Sequence, residues 1–442
     1  ETGLCHGAEA LAGTLPKLTC LRTLLLYNNP NFIGQVKKAD ATGQVKEGDA
    51  IDQVEGADAN GQVEEVDAIG QVEEEDDAIA RTSTFLKSLD KCEEMKELWL
   101  GNIGLRKGSR AMTFAFLCLP KLTKLMLDSS ANLIAEESAA KNAAFIRALS
   151  TLTSLEEIHL NDLGPLPEDS APKNTDNLSK VSSEIAAAVK KLPNLRTLLL
   201  NNNPAIFGEN PEAAKELLHS LADCRHLKEL CVANTDLRWP STMQFPELPQ
   251  LSKLNLEYNP HFLDNDPERS REFMQSLAKC KNLKELHLAE IGLVGDDNGG
   301  SLAFPELPNL TMLDLSYNEN FLANNQQRSH GFMQTLAKCT RLEELNIVDV
   351  GLCGDDAGKS LKESLSKMPE LKKLLLFKNP KLSDEARETI KTAAKKHAKL
   401  KDPLIDEVGG SIHLAVVAAP ATQEAAERRE GQSRRRESND SA

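Results

Sequence analysis

The chain has 442 residues, enough for two or three ordinary domains or for one repeat array. Hydrophobic residues make up 40% and aromatics 4%, so the chain is not wholly disordered and its core must be mainly aliphatic; no apolar run is long enough for a membrane-spanning helix. The net charge of −15 is local: residues 34–80 hold 14 Asp/Glu and 3 Lys, which leaves about −4 for everything else and argues against a generally acidic surface made for a basic partner.

Residues 1–20 read as a partial repeat or cap, with Leu4–Leu15 as its apolar part. The chain opens Glu1-Thr2-Gly3, without methionine or an apolar leader, so a processed or shortened N-terminus is expected. From residue 21 to residue 382 one pattern dominates, LxxLxL. It occurs at Leu21–Leu26, Leu122–Leu127, Leu195–Leu200, Leu251–Leu256, Leu310–Leu315 and Leu371–Leu376. Variants of it lie between these, at Met95–Leu100, Leu155–Leu160, Leu227–Val232, Leu283–Leu288 and Leu342–Ile347. Eleven units result, with starts 24 to 40 residues apart from the second onward. Alternate leucines of a short strand point inward, and each unit buries them only against its neighbours, so the array is stable collectively. Parallel strands returning through helices or loops give a right-handed α/β coil.

Two unit types alternate. Eight residues after the first leucine, the first type carries Asn29, Asn203, Asn259, Asn318 and Asn379, with Ser130 in the third unit. An asparagine amide suits this bend because it can hydrogen-bond exposed backbone groups. The second type has Ile103, Leu163, Thr235, Ile291 and Val350 at that place. Helices are expected over Arg269–Lys279 and Arg328–Lys338. The alternation resembles the ribonuclease-inhibitor-like class of leucine-rich repeats over about residues 11–395. That class includes the ribonuclease inhibitor, the Ran GTPase-activating protein and the sensing regions of NOD-like receptors. The resemblance implies an α/β solenoid, a horseshoe with a parallel sheet on its concave face and helices or loops on its convex face. The chain departs from the inhibitor in its irregular unit lengths and in lacking a cysteine at the second-type bend.

Several segments interrupt or end the array. Residues 34–78 form five imperfect nonapeptides, from GQVKKADAT to GQVEEEDDA. Nine residues are two and a half helical turns, so the valines alternate faces and give no apolar stripe. An acidic, disordered convex loop over 34–80 is expected, with the displaced helix at about Arg81–Asp90. Residues 164–180 read as a second polar loop. Residues 383–419 read as a closing helix and cap, the helix at Asp384–Lys399 capped by Ser383, and 420–442 as a charged flexible tail. Gly295-Asp296-Asp297 and Gly354-Asp355-Asp356 read as turn and helix-cap residues.

Nine cysteines form no CxxC pairs. Cys92, Cys224, Cys280 and Cys339 each precede a repeat strand by three residues, which reads as a recurring core thiol and points to a reducing, cytoplasmic location.

The candidate functional residues are those that face outward from the strands. At the third position second-type units carry Glu97, Glu157, Glu229, Glu285 and Glu344, while first-type units carry Thr23, Lys124, Thr197, Lys253, Met312 and Lys373. Strands about 4.8 Å apart bring these columns into Glu–Lys pairs. At the fifth position stand Leu25, Trp99, Met126, His159, Leu199, Cys231, Asn255, His287, Asp314, Asn346 and Leu375. Tyr27, Tyr258 and Tyr317, all the tyrosines, fall at the seventh or eighth position. Tyr and Trp dominate contact hot spots, so Tyr27, Trp99, Met126, His159, Leu199, Tyr258, His287 and Tyr317 are the expected partner-binding set. No Walker loop, dinucleotide fingerprint or GxSxG elbow occurs, and His159 and His287 stand four strands apart, roughly 20 Å. No catalytic residue, metal or cofactor is expected, and neither nucleic acid nor membrane as a partner. The expected function is a monomeric, non-enzymatic scaffold that binds a protein on its concave face. A GTPase activator of the Ran-activator type, or the sensing fragment of a larger NOD-like receptor, are the alternatives that the resemblance implies.

Overall fold

A computed structural model describes residues 7–30, 32–33, 78–105, 108–130, 133–134, 139–163, 175–207, 211–239, 244–295, 304–323 and 325–400. Eleven three-residue strands form one open parallel sheet in chain order: Thr23–Leu25 (β1), Glu97–Trp99 (β2), Lys124–Met126 (β3), Glu157–His159 (β4), Thr197–Leu199 (β5), Glu229–Cys231 (β6), Lys253–Asn255 (β7), Glu285–His287 (β8), Met312–Asp314 (β9), Glu344–Asn346 (β10) and Lys373–Leu375 (β11). Each strand begins at the third position of its motif, and neighbours pair in register, third with third and fifth with fifth. The chain is a leucine-rich-repeat solenoid.

The first, fourth and sixth motif positions are buried, except Leu21 of the first unit, which is partly buried. In unit 8 these are Leu283, Leu286 and Leu288, all fully buried, and Leu307, Ile291 and Leu293 join the same continuous core. The recurring cysteines Cys92, Cys224, Cys280 and Cys339 are buried as well, and burial pushes each thiol pKa up, that of Cys224 to about 12. Such thiols are inert structural groups.

Helices line the other side of the sheet. The Pro267–Leu277 helix is capped by Asp266, whose side chain accepts from the N–H groups of Glu268 and Arg269, and the Gln326–Leu336 helix by Asn325. Both start two residues earlier than expected. The displaced first helix covers 78–87 and runs into a 3-10 turn at Ser88–Lys91. The closing helix is Asp384–Lys396, and Ser383 caps it by accepting from the N–H of Ala386. Gly354 occupies the N-cap place of the Asp355–Lys367 helix at φ 78, with Asp355 and Asp356 in the first turn. Residues 34–77 of the nonapeptide block, Asp296-Asp297 and the tail beyond residue 400 lie outside the described residues, while 78–80, expected as the end of the acidic loop, already belong to the helix because Ala78 is buried against the core.

One expectation needs correction. The polar segment 164–180 is not loop throughout, because a helix spans Thr175–Val189. Val181, Ile185 and Val189 recur every four residues and are buried on one face. Their burial extends the helix back through polar residues that by themselves favour a turn.

Between β6 and β7, and between β8 and β9, no helix occurs among the described residues. Large aromatics fill the space instead. Trp239 stacks on Phe245 at 6.5 Å and meets Phe262 and Phe273 edge-on at 5.4 Å each; Phe304 packs on Phe332 at 6.1 Å.

Candidate functional site: the open face of the sheet

The chain turns away from the sheet at the eighth motif position, and all eleven residues there have positive φ: Asn28, Asn102, Ser129, Asp162, Asn202, Asn234, Tyr258, Glu290, Tyr317, Asp349 and Lys378, between 52° and 59°. Six are Asn or Asp, the side chains that tolerate this region best. Tyr258 and Tyr317 hold it despite their bulk. The turn therefore lifts the seventh- and eighth-position side chains onto a rim along the strand ends.

Directly behind the rim, the first-type asparagines bolt the units together. Asn259 donates through its amide to the carbonyls of Val232, Leu256 and Glu257 at 2.8, 2.7 and 3.2 Å. Its Oδ1 accepts from the N–H groups of Thr235 and Leu237, at 3.0 Å each, while the Thr235 hydroxyl donates to Val232 O at 2.8 Å. Asn203, Asn318 and Asn379 likewise hold the preceding second-type unit. A second ladder, not visible in the repeat pattern, runs along the seventh positions. Asp128 accepts from Asn161 N–H, Asn161 from Asn201 N–H and Asn201 from Ala233 N–H, at 2.9, 2.7 and 2.8 Å.

The third-position columns pair as the sequence implies. Lys124 lies 3.1 Å from Glu157, Lys253 lies 3.2 and 3.5 Å from Glu229 and Glu285, and Lys373 lies 3.6 Å from Glu344. These pairs are at least one-third exposed on most members and contribute only tenths of a kcal/mol each. They offset much of the charge of this column, in which three lysines stand among five glutamates.

The fifth-position column divides in two. At its N-terminal end Leu25, Trp99 and Met126 are consecutive partners in register, with Tyr27 above them. Leu25 is 56% and Tyr27 45% exposed, the Tyr27 ring resting against Gly101, where a Cβ would come within 3.1 Å of it. His159 and Leu199 continue this column half-buried, and His159 Nδ1 stands 3.7 Å from Asp128. From β7 to β10 the column is polar, and Leu375 ends it on β11. His287 Nδ1 lies 3.1 Å from Glu257 and its Nε2 lies 3.8 Å from Glu285. Asp314 accepts from Ser316 N–H at 2.8 Å, Ser316 Oγ at 2.6 Å and Asn346 Nδ2 at 2.7 Å. Above this network, Lys378 Nζ sits 5.3 Å from the centre of the Tyr317 ring.

The eight expected contact residues thus all lie on the sheet face or its rim, but not as one constellation. Five strand spacings, about 24 Å, separate Trp99 from the unit of Tyr258. Leu25, Glu257 and Asp314 belong to the two patches as well. Their position in the repeat marks them as outward-facing, yet neither residue type nor motif singles them out.

The polar patch has a defined electrostatic character. Burial works against protonation of His287, but its bond to Glu257, the nearby Glu285 carboxylate and the charges of Glu257 and Asp314 outweigh it and raise its pKa to about 9. Burial pushes the Asp314 carboxyl up, assisted by Glu257 and opposed by the bonds from Ser316 and Asn346. Burial also raises the Tyr258 hydroxyl, together with Glu257 and Asp314. A histidine pKa raised on folding stabilises the protein fully below the unfolded value near 6.5, and that contribution is lost as pH climbs through about 9. His287→Gln is therefore expected to remove a fall in stability between pH 7 and 10, on the order of 2–3 kcal/mol. Denaturation of both chains across this range checks it; parallel profiles would show that His287 carries no such linkage.

Catalytic arrangements are weak. On the helical side His330 Nδ1 lies 2.5 Å from Ser360 Oγ, but the Ser360 hydroxyl donates to the Asp356 carbonyl at 2.7 Å. With that proton committed, His330 is the donor to Ser360 and does not activate it as a nucleophile. Among the described residues no group of three or more His, Cys, Asp or Glu side chains is placed to hold a metal ion, and no helix is long and apolar enough to cross a membrane.

No protein-family model matches the chain, and no curated protein matches it in sequence. Solved structures similar to it include a leucine-rich-repeat protein of Leptospira interrogans, at 17% identity and TM-score 0.34, covering 71% of this chain and 85% of that one. A structure of the yeast Rad7–Elc1 complex matches at 13% identity and TM-score 0.36, covering 79% and 86%. The Drosophila Toll–Spatzle complex matches at 18% identity and TM-score 0.38, covering 75% of this chain and 35% of that one. What this chain does is therefore read from its own residues.

Proposed function

We propose that the chain is a non-enzymatic scaffold that binds a partner protein on the concave face of its sheet. The observation that carries this reading is the apolar run Leu25–Trp99–Met126 with Tyr27 beside it. It stands on a sheet face whose third-position column carries Glu–Lys pairs and whose fifth-position column is polar from β7 to β10. The solenoid core is complete without this run, because Leu24, Leu98 and Leu125 already fill the inner positions beneath it. Large side chains that do not serve the core and share one face are what a contact surface requires. The partner meets apolar side chains at the N-terminal end, and Tyr258, Tyr317 and the His287 network at the C-terminal end contribute polar contacts. The aromatic and amide-rich surface suits an extended protein chain laid across the strands.

The test is affinity capture from a lysate with mass spectrometry, using the wild-type chain, Trp99→Ala and Tyr258→Ala. Trp99→Ala is expected to lower recovery of the specific partner at least tenfold, the loss of one hot-spot residue of about 1.4 kcal/mol or more. Its thermal midpoint should stay near that of wild type. Full recovery by both variants would remove the sheet face as the binding site.

A further inference from the structure

At the C-terminal strand ends every junction between neighbouring units is bridged by side-chain hydrogen bonds, with one exception among the described residues, the junction of units 2 and 3, whose side-chain bridges lie at the N-terminal ends, from Thr123 Oγ1 to Lys96 O at 3.0 Å and from Lys121 to Glu94. Asn102 Nδ2 donates to Asn28 between units 1 and 2 at 3.2 Å. Asp128 bridges units 3 and 4, Asn161 and Asn203 units 4 and 5, and Asn201 units 5 and 6. Asn259 bridges units 6 and 7, the His287–Glu257 contact units 7 and 8, Asn318 units 8 and 9, Asp314–Asn346 units 9 and 10, and Asn379 units 10 and 11. Between units 2 and 3 both ladders fail. The seventh position of unit 2 is Gly101, which has no side chain to accept from the next unit. The ninth position of unit 3 is Ser130, too short to reach across.

The consequence is visible in the structure. Ser130 is buried, yet its Oγ has no hydrogen-bond partner. At the equivalent places Asn259, Asn318 and Asn379 accept from two amides of the preceding unit, those of Thr235 and Leu237, Ile291 and Leu293, and Val350 and Leu352. The corresponding amides of unit 2 are Ile103 and Leu105, and no side-chain oxygen among the described residues accepts from them. What remains at the C-terminal strand ends is the backbone ladder, Leu100 N–H to Met126 O at 2.8 Å and Asn102 N–H to Asp128 O at 2.9 Å.

We infer that the junction between units 2 and 3 is a hinge built into the solenoid, where the N-terminal units part from the rest more readily than at any other junction of the same type. Local opening follows local stability, and in a repeat array that stability is set by each nearest-neighbour interface. The hinge lies directly beneath the apolar run, since Trp99 and Met126 face each other across it. Opening it changes their spacing, so the proposed contact surface is adjustable at the place where it is most apolar. That last consequence rests on the reading of the sheet face as a binding surface; the hinge itself does not.

Hydrogen exchange read by mass spectrometry tests it on the full chain, without any partner, so a failed capture experiment and a failed hinge remain distinguishable. Peptides covering 98–105 in the wild type are expected to exchange at least tenfold faster than those covering 230–237 and 286–293. Ser130→Asn, which restores the amide, should slow 98–105 toward the other two. Asn259→Ser, which copies the gap elsewhere, should speed 230–237 to the rate of 98–105. Equal protection of the three segments in the wild type overturns the proposal, as does an Asn259→Ser chain whose 230–237 segment stays protected. Should Ser130→Asn fail to fold, these two measurements still decide it.

Discussion

Asn259→Ala is expected to lower the unfolding free energy by about 3–5 kcal/mol, one of the two largest single losses in the chain. The side chain is fully buried; its oxygen accepts from Thr235 and Leu237 across the junction, and its amide donates across it to Val232 and within its own unit to Leu256 and Glu257. Alanine removes it while leaving the carbonyls of Val232 and Leu256 and the amides of Thr235 and Leu237 inside the protein. A buried group stripped of its partner costs about 1–3 kcal/mol, far more than the net value of the bond it made. Asn259→Asp keeps an acceptor for the two amides but loses the donors, turning a carboxylate toward buried carbonyls. It is therefore expected to be no better than alanine at neutral pH and to recover in acid. Denaturant unfolding followed by circular dichroism measures both. A loss below about 1 kcal/mol for alanine would mean that water replaces the amide and that the ladder is not what binds the units.

This asparagine was legible in the sequence because one residue type recurs at one place in five units. The same holds for the inward leucines, for the Cys92-type thiols and for the Glu–Lys columns, whose partners follow from strand spacing alone. What escaped the pattern was what does not recur. The seventh-position ladder uses Asp128, Asn161 and Asn201 in consecutive units and then stops at Ala233. The His287 network depends on Glu257 and Asp314, which come from neighbouring units and different motif positions and meet only when the strands are stacked. The helix from Thr175 was hidden because polar propensity is local while the burial of Val181 and Ile185 is tertiary. Period-two alternation places the third, fifth and seventh positions on the outward face, while Tyr258 and Tyr317 at the eighth reach the rim only through the positive-φ turn. The division of the candidate contact residues into an apolar and a polar end follows only from counting strands between them.

Trp239→Ala is the second large effect, expected at about 3–5 kcal/mol. The ring is 1% exposed and touches Phe245, Phe262 and Phe273, in a return where no helix covers the sheet among the described residues. Its removal empties the centre of that cluster, and the phenylalanines are held by neighbouring units and so collapse into the space only in part. Trp239→Phe should behave differently. The indole Nε1 is buried without a hydrogen-bond partner, so phenylalanine gives up ring volume but also relieves the cost of an unpaired N–H. A loss of less than about half that of alanine is expected by urea denaturation. Equal losses from both would mean that shape alone governs the cluster. The phenylalanine chain has a further use, because it leaves Trp99 as the single tryptophan of 442 residues. Its fluorescence then reports on the half-buried apolar run and not on the core, so a shift on adding a captured partner would place that partner on the sheet face.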